Sequence, residues 1–261
     1  MISISIVVYR AELTQLKNLF ESISKAANKS REKVFIYLID NGNDNREVIN
    51  EILGRYINAD TEIELIAGHG NIGFGKGHNL VLEKLKSEYH LILNPDIEID
   101  EQCLIEGIKF FSIFSDAVIL TPKTKDGIGK LQYNSKKQPV LLDLISKFLP
   151  GEKFRSRNNE YAYVKEVNKD KAFEVDIACG CFLFCKSEIL KKVGGFDERY
   201  FLYFEDYALS NEVRKFGKIY YVPQMKIIHL GGDVYRKGII HIFMYLNSCI
   251  KYFNYYGWKL R

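Results

Sequence analysis

The segment Gly194-Gly195-Phe196-Asp197-Glu198-Arg199-Tyr200-Phe201-Leu202-Tyr203-Phe204-Glu205-Asp206 sets two acidic pairs around a dense run of aromatic side chains. Carboxylates are rarely buried without a partner, because taking an ionised group out of water is costly. Acids in such company take part in proton transfer, hold a cation or form a structural ion pair. If a helix runs over 205–216, Asp206, Leu209 and Val213 share its inward stripe. Asp206 then points at the core or a cleft, with Glu205 one position off. The plainer alternative is that both acids complement the positive end of that helix.

Other residues invite chemistry of their own. Gly68-His69-Gly70-Asn71-Ile72-Gly73 spells G-x-G-x-x-G, the pattern of a dinucleotide-binding turn. It follows the third predicted strand rather than the first, and no acid ends a strand about 20 residues later, as that fingerprint requires. An NAD(P)-dependent oxidoreductase is therefore the competing class. The glycines do let backbone approach a ligand closely, with Lys76 and His78 beside them either to meet an anion or to solvate a loop. Asn94-Pro95-Asp96 ends an apolar strand. An acid there can hold Mg²⁺ or Mn²⁺ against a ligand diphosphate, or it can cap the helix that begins near Glu101. His229, before Gly231-Gly232, is either a metal or phosphate ligand or a structural histidine.

These residues need a scaffold. Apolar runs at 2–9, 34–39, 63–66 and 89–93 alternate with helical patterns through Leu13, Leu16, Leu19, Phe20 and Ile23, and at 48–57 and 80–85. Such alternation predicts right-handed βαβ units in a parallel sheet, which binds ligands at the carboxyl ends of its strands. Those ends carry Tyr9-Arg10, Asp40-Asn41, the loop at Gly68, and Asn94-Pro95-Asp96. The Lys-, Asn- and Gln-rich middle, 121–171, reads as an elaboration on the core. Further strands are expected within 173–185, at 218–222 and at 226–228, with a short helix at 187–193. From Ile239 a terminal helix carries Ile242, Phe243, Leu246, Ile250 and Phe253, with basic flanks. It is too short in apolar residues to span a bilayer. It either lies at a membrane interface or packs on the core.

Composition narrows the class. A net charge of +4 is too small for bulk nucleic-acid binding and suits discrete anions or an anionic membrane surface. The amino terminus lacks the charged and apolar regions of a signal peptide, so a reducing cytoplasm is expected. The five cysteines, Cys103, Cys179, Cys181, Cys185 and Cys249, form no CxxC pair and read as small buried hydrophobes rather than metal ligands.

In order along the chain, several blocks resemble the family 2 inverting glycosyltransferases of GT-A fold, especially their bacterial rhamnosyltransferase-like branch. They are Ser5-Ile6-Val7-Val8-Tyr9, Leu38-Ile39-Asp40-Asn41-Gly42, Asn71-Ile72-Gly73-Phe74-Gly75 with Asn79, and Leu93-Asn94-Pro95-Asp96. Gly180-Cys181-Phe182-Leu183-Phe184, Gly194-Gly195-Phe196-Asp197-Glu198, Tyr203-Phe204-Glu205-Asp206 and His229-Leu230-Gly231-Gly232 complete the set. Each is modest alone; their order is specific. The resemblance implies a Rossmann-like, mostly parallel central sheet flanked by helices. It divides the chain into a glycosyltransferase domain at 1–235, with a nucleotide half at 1–100 and an acceptor half at 101–235, and a helical extension at 236–261.

The implied roles follow. Asp40 hydrogen-bonds the pyrimidine base, and Tyr9, Asn71, Gly73, Phe74, Gly75, Asn79 and Asn94 line the nucleotide site. Asp96 and His229 hold Mg²⁺ or Mn²⁺, Asn94 standing where the family has its first acid. Asp206 is the general base and Glu205 its neighbour in the acceptor site, while Asp197 and Glu198 are framework. Arg10 stands where the family usually has Asn, and Tyr207-Ala208-Leu209 replaces its Val-Asp-Leu. The implied reaction moves L-rhamnose from dTDP-rhamnose, or a sugar from a UDP-sugar, onto a glycan or lipid-linked glycan of a bacterial surface polysaccharide. Peripheral contact with the inner face of the plasma membrane is part of that expectation.

Overall fold

A computed structural model describes residues 1–10, 12–42, 46–57, 60–146, 149–231 and 238–259. Gly232, Arg236, Lys237 and Arg261, which enter the sequence reading, lie outside the described residues. The first half alternates as predicted: β1 (Ile2–Val8), α1 (Leu13–Ser30), β2 (Val34–Asp40), α2 (Arg46–Tyr56), β3 (Thr61–Ala67), α3 (Phe74–Asn79) and β4 (Tyr89–Leu93). Strands β3, β2, β1 and β4 pair in that order, all parallel, with Val8 opposite Asp40. Every residue of β1 is buried, as expected for a strand covered on both faces. The buried Ser3 and Ser5 of this strand bond both nitrogens of His90, at 2.7 and 2.9 Å, and Ser5 also bonds His78 Nδ1 at 2.7 Å. Burial pushes the His90 imidazole down to about 3 and that of His78 well below its ordinary range, so both rings are neutral core groups. His78 is therefore no anion contact.

Helix α3 differs from expectation. Its residues are the glycine-rich Phe74–Asn79, and only a short 3-10 turn, Leu82–Lys84, falls where the longer helix was predicted. Propensity argues against such a helix, but packing demands the glycines. A Cβ on Gly75 would stand 2.7 Å from Phe196 Cβ, and one on Gly77 would stand 2.8 Å from Val7.

The second half completes a mixed sheet. It contains β5 (Ile97–Ile99), α4 (Cys103–Ile113), β6 (Ala117–Lys125), β7 (Leu131–Gln132), α5 (Leu141–Ser146), α6 (Glu152–Tyr161), α7 (Val164–Val167), β8 (Phe173–Val175), β9 (Phe182–Lys186), α8 (Ser187–Lys192), α9 (Glu205–Val213), β10 (Lys218–His229) and α10 (Ile239–Tyr256). The sheet order is β3-β2-β1-β4-β9-β6-β10-β5, and β9 runs antiparallel to both of its neighbours. The two predicted strands at 218–222 and 226–228 are one strand, broken in register between Val222 and Lys226. Pro223 sits in that break, a position where a strand tolerates a missing N–H. The middle segment carries helices that periodicity does not announce; α6 buries only Tyr161.

Strand order reverses at β1, whose neighbours are β2 on one side and β4 on the other, all running parallel. Open sheets bind ligands outside the carboxyl ends at such a switch point. Cys103, Cys181, Cys185 and Cys249 are buried and Cys179 is partly so, all as free thiols. Among the described residues, no helix is long and apolar enough to cross a membrane.

Candidate active site

On the nucleotide side, Tyr9 follows β1 and is half exposed, with the Arg10 guanidinium 5.2 Å from its ring centre. Asp40 ends β2 almost fully buried, and its Oδ1 accepts the Gly42 N–H at 2.8 Å. Asn41 ties this edge together. Its N–H donates to Val8 O, its amide donates to Gly73 O at 3.0 Å, and its Oδ1 bonds His69 Nε2 at 2.9 Å. Asn71 Oδ1 accepts the Gly73 N–H at 3.2 Å. Gly73 has φ 93°, and a Cβ there would stand 2.5 Å from Phe201 O. Only glycine meets both demands.

The glycine loop is thus docked on the acidic–aromatic segment. The Phe74 N–H donates to Phe201 O at 3.1 Å. In a dinucleotide fold the N–H groups opening this helix would face a pyrophosphate; here this one is spent on protein. The Phe74 ring stands edge-on to His78 and Phe196. Asn79 does not line a nucleotide pocket. Its amide donates to Phe196 O at 2.7 Å and its Oδ1 accepts the Phe196 N–H at 2.8 Å. It is a latch between loop and segment. Lys76 pairs with Glu198 at the surface, 3.4 Å apart.

The opposite side is built on the turn from β4 to β5. The Asn94 N–H donates to Cys181 O at 3.0 Å, and Asp96 O accepts the Leu230 N–H at 3.0 Å. Antiparallel pairing of β10 with β5 sets His229 opposite Ile97. His229 Nε2 stands 3.6 Å from Asp96 Oδ1. Asp96 caps nothing: Asp100 accepts the Gln102 N–H at 2.9 Å before α4 and so takes the cap-side role.

Gln132, which the sequence reading did not single out, grips His229 at two points. Its amide N–H donates to His229 O at 3.1 Å, and its Oε1 lies 3.0 Å from His229 Nδ1. With the amide so oriented, Nδ1 carries the ring proton and Nε2 is the nitrogen that faces Asp96. Metal-binding histidines are typically held in this way through the other nitrogen. Asp96 Oδ1 is buried with no hydrogen-bond partner, and a Cβ on Gly231 would collide with Asp96 Oδ2 and His229 Nε2. An oxygen donor and an oriented imidazole nitrogen beside a glycine cradle fit a hard divalent cation whose other ligands are phosphate and water.

The base side differs from expectation in one respect. Tyr203 and Phe204 both adopt left-handed backbone, φ 69° and 67°, a costly conformation for bulky residues and one that clusters at functional sites. Helix α9 starts directly after them. Its buried stripe runs through Glu205, Ala208, Leu209 and Val213, so Glu205, not Asp206, enters the core. Asp206 keeps part of its surface open. Its Oδ2 accepts the Gly180 N–H at 2.9 Å and its Oδ1 the Tyr207 N–H at 3.0 Å.

Burial raises the Asp206 carboxyl to about 6, against the pull of those N–H groups. Burial, followed by the Asp206 charge, raises Glu205 well above its ordinary range. Both carboxyls thereby hold their protons more tightly than free ones, Asp206 ionising at about 6 and Glu205 pushed toward its neutral form.

Residues 180 and 181 join the two sides. Gly180 donates to Asp206, and Cys181 accepts from Asn94. The Cys181 thiol is pushed well up by its hydrogen bond with Cys179, by burial, and then by the charges of Asp96 and Asp206. The end of β9 therefore stands within electrostatic reach of both acids. A separate groove of about 630 Å³ against α1, β5 and β10 is lined by Lys25, Asp100, Lys123 and Lys226 and contains none of these site residues.

A switch-point sheet with one acid at the β4–β5 turn and another at the head of α9 is the architecture of a GT-A glycosyltransferase. The sequence model of glycosyl transferase family 2 matches residues 3–194, and the chain belongs to that family. It is 28% identical over 235 residues to the rhamnosyltransferase WbbL of Escherichia coli (strain K12), covering 86% of this chain and 81% of that one. It is 24% identical over 231 residues to the N-acetylglucosaminyl-diphospho-decaprenol L-rhamnosyltransferase of Mycobacterium tuberculosis (strain ATCC 25618 / H37Rv), covering 82% and 71%.

Among solved structures, it resembles the mannosyltransferase PcManGT of Pyrobaculum calidifontis in complex with GDP-Man and Mn²⁺. The TM-score is 0.65 at 12% identity, covering 96% of this chain and 64% of that one. GalNAc-T7 with UDP, GalNAc and Mn²⁺ gives a TM-score of 0.65 at 15% identity, covering 88% and 43%. The chain spans less than two thirds of either solved chain. The enzyme is thus a glycosyltransferase, and the rhamnosyltransferase-like resemblance of its ordered blocks matches that of its curated relatives. The oxidoreductase alternative falls.

Proposed function

We propose that this enzyme transfers L-rhamnose from dTDP-rhamnose, with inversion, to a lipid-linked glycan of a bacterial surface polysaccharide at the inner face of the plasma membrane. The observation that carries the chemistry is Asp206, partly open, held by two backbone N–H groups, and raised toward neutrality. In this reading Asp206 takes the proton of the acceptor hydroxyl as that oxygen bonds to the anomeric carbon. The anomeric carbon's bond to the diphosphate breaks on the opposite face, and the nucleoside diphosphate leaves with the electron pair. Glu205, its carboxyl pushed toward the neutral form by burial, backs Asp206 from the core.

Asp96 and His229 would hold Mg²⁺ or Mn²⁺, which supplies positive charge for the departing diphosphate. Tyr9, Asp40, Asn71, Gly73, Phe74, Gly75 and Asn94 line the nucleotide side. The same reading assigns 1–100 to the donor, 101–235 to the acceptor and catalysis, and 236–261 to an extension. The donor assignment rests on the names of the curated relatives, and the lipid-linked acceptor on that of the mycobacterial protein. A UDP-sugar is the second reading, favoured by solved neighbours that hold UDP or UDP-GlcNAc.

A thermal-shift panel separates the two. A ligand of the folded state raises the melting temperature by mass action. With Mn²⁺ present, dTDP is expected to raise it most, UDP less, and GDP and NADH not at all. A UDP shift exceeding that of dTDP would replace the donor, and a shift with NADH alone would remove the proposed function.

A further inference from the structure

Helix α10 is apolar on two sides. Its inner face buries Ser248, Cys249, Tyr252 and Phe253, packed with Tyr200, Phe204 and Ala208. Its outer face leaves Ile239, Phe243, Leu246 and Ile250 exposed, at 68, 66, 50 and 50%. Positions i, i+4, i+7 and i+11 form one stripe along the helix. An ordinary surface helix shows charged or polar residues there.

Charge says what covers this stripe. Residues 236–261 contain Arg236, Lys237, Lys251, Lys259 and Arg261 and no Asp or Glu. That is +5 in a chain of net +4, leaving −1 for the remaining residues. The chain's positive balance therefore resides wholly in this segment. Tyr255 and Trp258 are also exposed, the Trp258 ring stacked on Phe253 at 5.3 Å. Aromatic residues of this kind favour the boundary between water and lipid. A second copy would bring another segment of charge +5, and like charge opposes self-association through it.

We propose that the outer face of α10 docks on an anionic phospholipid surface, its apolar stripe entering the headgroup–acyl boundary. This deepens the proposed function by placing the enzyme where a lipid-linked acceptor resides; its evidence is independent of the donor or the base. The helix is fixed to the catalytic turn. Tyr203 OH bonds His241 Nδ1 at 2.8 Å, Ser248 Oγ donates to Leu202 O at 2.8 Å, and Tyr245 packs on Tyr203 and Phe204. Docking through α10 therefore holds the turn that leads into Asp206 at a fixed orientation to the bilayer.

The test is co-sedimentation of the full chain with vesicles of phosphatidylcholine alone or mixed with phosphatidylglycerol. Binding is expected to the mixed vesicles, weaker by at least about tenfold to phosphatidylcholine, and diminished by salt. The double variant Phe243→Glu/Leu246→Glu should lose at least about tenfold in vesicle affinity while keeping its melting temperature, since both side chains are exposed. Equal binding by parent and variant, or no binding of the parent to mixed vesicles, overturns the proposal. So does a concentration-dependent dimer in analytical ultracentrifugation that the double variant abolishes. Failure of the nucleotide panel with vesicle binding intact would overturn the donor reading and leave this surface standing.

Discussion

Asp206→Asn lowers the rate of sugar transfer by about 1,000-fold, the middle of the range that a positioned general base contributes, and leaves nucleotide affinity nearly unchanged. The substitution is close to isosteric, and its oxygen can still accept the N–H of Gly180 or Tyr207. What it removes is the lone pair that takes the acceptor proton. An interaction made only in the transition state lowers kcat without weakening ground-state binding, and isothermal titration with the donor nucleotide checks that half. Glu205→Gln is the informative partner. Glu205 is buried and its carboxyl is pushed toward the neutral form, so an amide of the same shape should replace it with the enzyme still active. More than a few per cent of parent activity in Asp206→Asn, or an equal collapse in Glu205→Gln, would remove Asp206 from its role.

The second large effect is on the other side of the β9 strand end. Asp96→Asn weakens Mn²⁺ binding by more than the 10- to 100-fold or so that loss of an outer-shell partner costs a metal site, because it removes the carboxylate that stands 3.6 Å from His229 Nε2. Gln132→Ala should fall within that smaller range, since it removes no ligand: the His229 imidazole loses the acceptor that sets its tautomer. Both are read by electron paramagnetic resonance of bound Mn²⁺ in the presence of the nucleotide, without reference to turnover. The order Asp96→Asn worse than Gln132→Ala, worse than parent, is the expected outcome. Unchanged Mn²⁺ affinity in Asp96→Asn would place the cation elsewhere.

Much of the scaffold was legible because β1, β2 and β4 are covered on both faces and are mostly apolar, with Ser3, Ser5 and His90 as buried polar exceptions. Their polar ends, Tyr9, Asp40 and Asn94, mark the ligand edge without any structure. Asp206 was legible as an acid in apolar company, but the side it faces was not. The stripes 205/209/213 and 206/209/213 are both helical, and the left-handed pair Tyr203–Phe204 decides which one turns inward. Asn79 and Gln132 were invisible as a latch and an orienter, because their partners lie 117 and 97 residues away in sequence. Helix α3 was obscured by glycines that serve packing, and α6 by the absence of an apolar stripe.

The most direct test of Asp206 as the base is the dependence of kcat/KM on pH, which reports groups of the free enzyme. The base works ionised, and its carboxyl lies at about 6. Activity should therefore be full above that pH and fall about tenfold per unit below it, and the residual activity of Asp206→Asn should lack this acid limb. A parent profile that stays flat well below pH 6, or an acid limb that survives in Asp206→Asn, would contradict the account.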